Sequence, residues 1–307
     1  MIKMEPKLEF LIGQQKDLHK IFSLIETTGW GESFADIKRA FDISPGGFLL
    51  LINEQTNELI GVAWIVSYGE IGFIGMVVVE SKYRGKRIGQ GIMEEAVALL
   101  KSKGCKTIKL DAVQKATSLY KRVGFKEELR SLRFYKEIKD QEKLIGQMDQ
   151  KIKDQNSFKL VFNIKEHDIA PILQMDQTIF SGNRESLLIA LWREYPDFSF
   201  IAQTKEGELA GYLFGTYQMG ILKLRAGVAK DTPTITHLLK AAITVASERD
   251  DFQKISIGLP EINNEAIDIL HELGFSQGNY SLRMFWGKKS KATIHPTIFA
   301  IGHPAKG

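Results

Sequence analysis

Residues 77–92 read VVVESKYRGKRIGQGI. The valines end an apolar run that begins at Ile71, and just beyond them Ile88, Ile92, Met93, Ala96, Val97 and Leu100 recur at helical spacing. At the join of strand and helix lie Gly85 and Gly89 and, around Gly85, the cations Arg84, Lys86 and Arg87. A helix start leaves its first N–H groups unpaired and carries partial positive charge, so it receives an anion where the backbone can come close. Glycine permits that approach, and arginine adds a fork suited to phosphate oxygens. The stretch reads as strand, phosphate-accepting turn, helix.

The charge around it is uneven. The 307-residue chain has a formal net charge of +4, yet residues 82–139 hold 16 basic and 6 acidic side chains while residues 1–81 hold 6 and 11. A field concentrated in this way draws an anionic ligand to one segment. With 44% hydrophobic and 25% charged residues the chain has a globular composition, which excludes disordered and collagen-like classes. Its one cysteine, Cys105, forms no internal disulfide and suggests a reducing, cytoplasmic setting. No run reaches the roughly 20 apolar residues of a membrane span, so no membrane partner is expected.

An internal repeat organises the rest. GFLLLINEQTNELIGVAWIVSYGEIGFIGMVVV at 47–79 lies over DFSFIAQTKEGELAGYLFGTYQMGILKLRAGVA at 197–229 without a gap, and the same offset of 150 pairs Gly124-Phe125 with Gly274-Phe275. Such a period is far above that of solenoid units, so each copy should be a whole domain. In the first copy, helices are expected near residues 14–27 and 33–41, strands at 48–52, 59–67 and 71–79, a long helix from Ile88, a strand at 107–112, a short helix at 116–123 and a final strand near 132–135. This order supports a mixed α+β class. The expected division is 1–140, a polar linker at 141–157, and 158–307, whose tail at 293–301 reads as one more strand.

These residues resemble the GNAT acetyltransferase family. Its signature Val-x-x-x-Tyr-Arg-Gly-x-Gly-x-Gly/Ala is matched by Val79, Tyr83, Arg84, Gly85, Ile88 and Gly89, with Arg87 in place of the first signature glycine, a departure expected to be mild. A second signature, Ala-x-x-Leu-Tyr-x-x-x-Gly-Phe, is matched by Ala116, Leu119, Tyr120, Gly124 and Phe125. The resemblance is clear over 5–140, and the tandem layout is similar to that of bacterial members with one catalytic and one degenerate domain. It implies acetyl-CoA in a V-shaped gap between the fourth and fifth strands. Val77 and Val79 would pair with the pantetheine amides, Val78 would hold the thioester carbonyl, and Arg84, Gly85, Lys86, Arg87, Ile88, Gly89 and Gln90 would cradle the pyrophosphate. Tyr120 matches the family's acid for the departing thiolate.

The resemblance implies acetyl transfer to a primary amine of a small molecule or peptide by direct attack. Trp30, Glu32 and Asp36 lie in the segment that borders the acceptor in this family, although acids at a helix start also serve as caps. No general base is evident. His19 and Glu70 read better as structural or solvated groups. No Cys/His spacing for a metal is present, and the basic stretch lacks an aromatic platform for nucleic acid. In the second copy the gap-free offset sets Thr234, Ile235, His237 and Leu239 opposite Arg84, Gly85, Arg87 and Gly89, and Leu270 opposite Tyr120. That copy is expected to bind no CoA; Asn183, Arg184 and Trp192 are its candidates for walling an acceptor pocket, although they read better as packing and surface residues. A non-catalytic acyl-CoA sensor is the alternative reading, and a salt-sensitive nucleic-acid binder a third.

Overall fold

The computed structural model describes residues 7–138, 158–290 and 293–302, so the expected linker lies outside the described residues. Contacts divide these into two units, the first built from residues up to 128 with 282–290, the second from 129–281 with the tail from 293.

The first unit begins with β1 (Leu8–Ile12), an apolar but exposed edge strand that lacks the alternation by which a half-buried strand is recognised. Then follow α1 (Leu18–Glu26), α2 (Phe34–Ile43), β2 (Phe48–Asn53), β3 (Glu58–Ser67), β4 (Ile71–Val79), α3 (Ile88–Ser102), β5 (Thr107–Ala112) and α4 (Thr117–Arg122). β1 to β4 form an antiparallel ladder, and β5 joins β4 in parallel. Period-two alternation sorts the side chains. Leu49, Leu51, Ala63, Ile65, Ile74, Ile108 and Leu110 share one cluster with Ile92, Met93, Ala96, Val97 and Leu100 of α3. Each of the larger of these side chains contributes roughly 1.5–3 kcal/mol by leaving water. α3 comes so close that a Cβ added to Gly61 would lie 2.5 Å from Ile92 Cδ1. On the other face the fully buried Trp64 donates its indole N–H to the Ala40 carbonyl of α2 at 3.0 Å.

The second unit repeats the order with β7 (Phe158–Asn163), α5 (Glu166–Phe180), α6 (Glu185–Glu194), β8 (Ser199–Thr204), β9 (Leu209–Gln218), β10 (Ile221–Ala229), α7 (Thr232–Ser247), β11 (Lys254–Pro260) and α8 (Asn264–Glu272). It too is an antiparallel ladder with a parallel pair at its end, β10 beside β11.

The closing strands are exchanged. β6 (Lys126–Glu137) pairs antiparallel with β11 from Glu137↔Lys254 to Ser131↔Pro260, and the two-residue β12 (Ser276–Gln277) also pairs with β6. β13 (Ser281–Gly287) pairs antiparallel with β5 from Leu282↔Ala112 to Gly287↔Thr107. The strand expected near 132–135 therefore closes the second unit, and residues 282–290 close the first. Without these partners β5 and β11 would each present an open row of backbone donors and acceptors. The tail strand β14 (Ile298–Ala300) pairs with β10.

Candidate active site

In the first unit the parallel ladder between β4 and β5 covers only Ile71–Phe73 against Thr107–Lys109. Beyond Phe73 the two strands part. Opposite β3 the register moves from Trp64↔Gly75 to Val62↔Val78, so Met76 and Val77 face the single residue Ala63, and Met76 takes a φ of 50°. This is a β-bulge, which bends its strand and stops pairing at a chosen place. From Ile74 to Val79, β4 keeps its β3 partner while its other edge has no ladder with β5. Val77 and Val79 are half-buried there and Val78 is buried.

Eight residues lead from β4 to α3. Tyr83 donates its hydroxyl to Glu58 at 3.0 Å, Lys82 pairs with the same carboxylate at 2.5 Å, and Arg84 Nε donates to the Val79 carbonyl at 2.9 Å. Lys82 and the Tyr83 hydroxyl hold the Glu58 carboxyl below its usual range. Glu58 thus anchors the loop from the β2–β3 turn, 25 residues earlier, where no sequence signal points to it. The amides of Gly85, Lys86, Arg87, Ile88 and Gly89 meet no hydrogen-bond acceptor among the described residues. Gly85 has a φ of 80° with nothing within 4 Å of an added Cβ, and Arg84, Lys86 and Arg87 are exposed. Gln90 donates its side chain to Glu94 at 2.8 Å. A run of open donors at the start of a 15-residue helix, ringed by cations, fits a pyrophosphate. Arg87 is exposed with a φ of 60°, the left-handed conformation that glycine adopts freely, and a side chain there costs roughly 1–2 kcal/mol.

Tyr120 lies on α4, half-buried, its ring edge-on to Phe125 at 6.2 Å. Burial pushes its hydroxyl up to about 12, and that hydroxyl has no partner among the described residues. Its neighbour Leu119 reaches the start of α3: a Cβ added to Gly89 would sit 3.4 Å from Leu119 Cδ2 and 3.7 Å from Val79 Cγ2. The packing thus gathers α4, the loop and the open end of β4.

Other candidates are spent elsewhere. Asp36, 6% exposed, accepts from the Ser33 amide and hydroxyl and pairs with Arg39 at 2.8 Å. Its carboxyl is held well below the usual range by these bonds against the cost of burial. It caps α2 and is not open to a ligand. Glu32 is half-buried and Trp30 is exposed. In the second unit Arg184 is buried against Asp176 at 2.5 Å, Trp192 donates to the Ile164 carbonyl at 2.9 Å, and Asn183 accepts from the Glu185 amide at 2.9 Å. These three side chains make their hydrogen bonds within their own unit. The sequence also gave no hint of a buried quartet in the first unit. Lys109 pairs with Glu128 at 2.9 Å, and Asp111 receives both Nε and Nη2 of Arg283 at 2.8 and 3.0 Å, every side chain at most 2% exposed. Burial pulls the Lys109 ammonium down, with Glu128 opposing.

In the second unit only Lys230 and Asp231 separate β10 from α7. The phosphate-type loop is deleted and not merely substituted, which corrects the gap-free pairing of Arg84 with Thr234, a residue inside α7. The α7 start is closed by its own chain: Asp231 accepts from the Thr234 amide at 2.9 Å, and Pro233 has no N–H. Leu270 does stand where Tyr120 stands, since Phe125 donates its amide to the Tyr120 carbonyl (3.0 Å) as Phe275 does to that of Leu270 (2.8 Å). Among the described residues no helix is long and apolar enough to cross a membrane, and no group of three or more His, Cys, Asp or Glu side chains is placed to hold a metal.

Two units of the same strand order, each with a parallel pair that parts and the first with an open helix start, define the acyl-CoA N-acyltransferase fold. Residues 16–125 match the Acetyltransferase (GNAT) family and residues 172–300 an Acetyltransferase (GNAT) domain. A glucosamine 6-phosphate N-acetyltransferase of Trypanosoma brucei brucei is 33% identical over 108 residues, covering 33% of this chain and 71% of that one. A Pyrococcus horikoshii protein described as an acetyltransferase superposes with a TM-score of 0.76 at 20% identity, covering 98% of this chain and 96% of its own. A tandem GNAT protein from the clavulanic acid biosynthesis pathway gives 0.61 at 12% identity, with 92% and 100% covered. The chain belongs to the GNAT acetyltransferase family and is an N-acetyltransferase with two domains in tandem. Its family uses acyl-CoA as donor and amines as acceptors.

Proposed function

We propose that the first unit transfers acetyl from acetyl-CoA to a primary amine of a small molecule or peptide by direct attack, and that the second unit takes no CoA. The observation that carries this reading is the edge of β4 that leaves β5 after Phe73 and runs into a stretch of open amides, with α4, the helix that carries Tyr120, packed against that loop through Leu119. Val77 and Val79 offer backbone groups to an extended amide-bearing arm, with Val78 beside the thioester carbonyl. The amides of Gly85 to Gly89, with Arg84, Lys86 and Arg87, take the pyrophosphate. Acetyl-CoA supplies an activated acyl carbon. The amine nitrogen forms a bond to that carbon as the carbon–sulfur bond breaks. Tyr120 gives its proton to the departing sulfur, and the amine's surplus proton passes through water to restore the Tyr120 hydroxyl. Burial raises the Tyr120 hydroxyl to about 12, so it holds its proton until the sulfur departs. By the family resemblance Trp30 and Glu32 would border the acceptor, where a carboxylate attracts a cationic amine. The buried thiol of Cys105 fits a cytoplasmic setting.

The test is thiol release from acetyl-CoA against a panel of amino sugars, polyamines and peptides. At least one amine should support turnover, and Tyr120→Phe should lower kcat about 100-fold with acetyl-CoA affinity little changed. Normal binding with no turnover on any amine would instead favour a sensor.

A further inference from the structure

In the second unit β10 and β11 also part, after Leu224↔Ile257, but their gap is filled. β14 lies against β10 at Gly227↔Ala300 and Val228↔Ile298. The Ala229 amide donates to the Thr297 carbonyl at 3.1 Å, and on the other side the Ile301 amide donates to the Gly258 carbonyl of β11 at 2.8 Å. Asn263 clamps the segment, its Nδ2 donating to the carbonyls of Pro296 (2.7 Å) and Ile298 (3.1 Å) while its Oδ1 accepts from the Ala266 amide. Phe299 and Ala300 are fully buried. A Cβ added to Gly227 would come within 3.0 Å of Ala300 Cβ and Phe299 Cζ, so the segment sits directly on the β10 backbone.

In the repeat register Gly227, Val228 and Ala229 answer to Val77, Val78 and Val79. The amide equivalent to that of Val79 is therefore already bonded to a peptide carbonyl. A polypeptide and a pantetheine arm both present amide N–H and C=O groups along an extended chain, so one strand edge can serve either. We infer that the second unit's gap is a strand-binding groove whose ligand is the chain's own segment 296–301, held where a pantetheine arm would lie, and that this segment excludes acyl-CoA from the unit. The likeness to pantetheine rests on the reading of the first unit given above, whereas the seating of the segment does not.

The test uses a chain ending at His295 and a fluorescent synthetic peptide of residues 296–302. The peptide should bind saturably at one per chain and raise the melting temperature, and Asn263→Ala should weaken binding about tenfold, as two lost hydrogen bonds imply. A shortened chain that keeps its circular dichroism but shows no saturable binding would overturn the groove. If the shortened chain does not fold, hydrogen exchange in full-length Asn263→Ala decides: the Ile301 amide should exchange at least fivefold faster while β8 and β9 are unchanged, and unaltered Ile301 would overturn the proposal. Acetyl-CoA titration of the full chain should give one equivalent, abolished by Arg84→Ala with Gly89→Leu. A second equivalent, or one that survives the loop variant, overturns the exclusion. No binding at all overturns the reading of the first unit, and the peptide titration still decides the groove.

Discussion

The α3 and α7 helices begin at equivalent places in two copies of one fold, yet one start is open and the other closed. Before α3, eight residues hold five amides free of acceptors under three cations. Before α7, two residues suffice, and Asp231 supplies the negative charge that the helix start attracts. The gaps beside them differ in the same sense, β4 with a bare edge and β10 with a strand laid along it. A shared fold thus carries a ligand site only where the chain leaves its own donors unanswered.

The largest effect expected concerns what the units have in common, their exchanged strands. Arg283→Leu should destabilise the first unit by about 3–5 kcal/mol in urea unfolding, because it strands the buried Asp111 carboxylate, and adding Asp111→Leu should restore much of that loss. An exposed pair such as Arg130–Glu261, on the strand exchanged into the second unit, should cost under about 1 kcal/mol. Next, Arg84→Ala with Gly89→Leu should make the first unit resemble the second and weaken acetyl-CoA binding at least about 100-fold by calorimetry, since leucine at 89 meets Leu119 and Val79. Arg87→Gly relieves a left-handed arginine and should raise stability by about 1 kcal/mol while weakening acetyl-CoA binding only slightly. The smallest signal is titration. Folding raises the Tyr120 pKa from 10.0 to about 12, so the folded chain holds this proton more tightly than the unfolded one. The associated stability is present below pH 10 and lost as pH rises through 12. The tyrosinate absorbance of wild type minus Tyr120→Phe should therefore rise near pH 12, and a rise near pH 10 would contradict the burial.

Much of this was legible in the residues. β4 at Ile71–Val79 and β5 at Thr107–Ala112 begin and end where alternation and turn residues place them. The loop and Tyr120 announce themselves through local spacing. What escaped was non-local. Arg283 lies 172 residues from Asp111, and Glu58 lies 25 from Tyr83, so neither contact leaves a periodic trace. The strand exchange is likewise invisible, because β6 and β13 have the composition of closing strands whichever unit they close. A constant offset of 150 also hid the shortened loop: the pairs Ile71↔Thr107 and Ile221↔Lys254 differ by 150 at their first members and 147 at their second. The shift is recovered before Gly274, and a gap-free overlay passes over both changes.

The central claim is that acetyl-CoA enters the first unit and not the second. Hydrogen exchange with and without acetyl-CoA tests it most directly. Protection confined to residues 77–90, with no change at 226–239, is the result expected. Protection at 226–239, or none at 77–90, would contradict it.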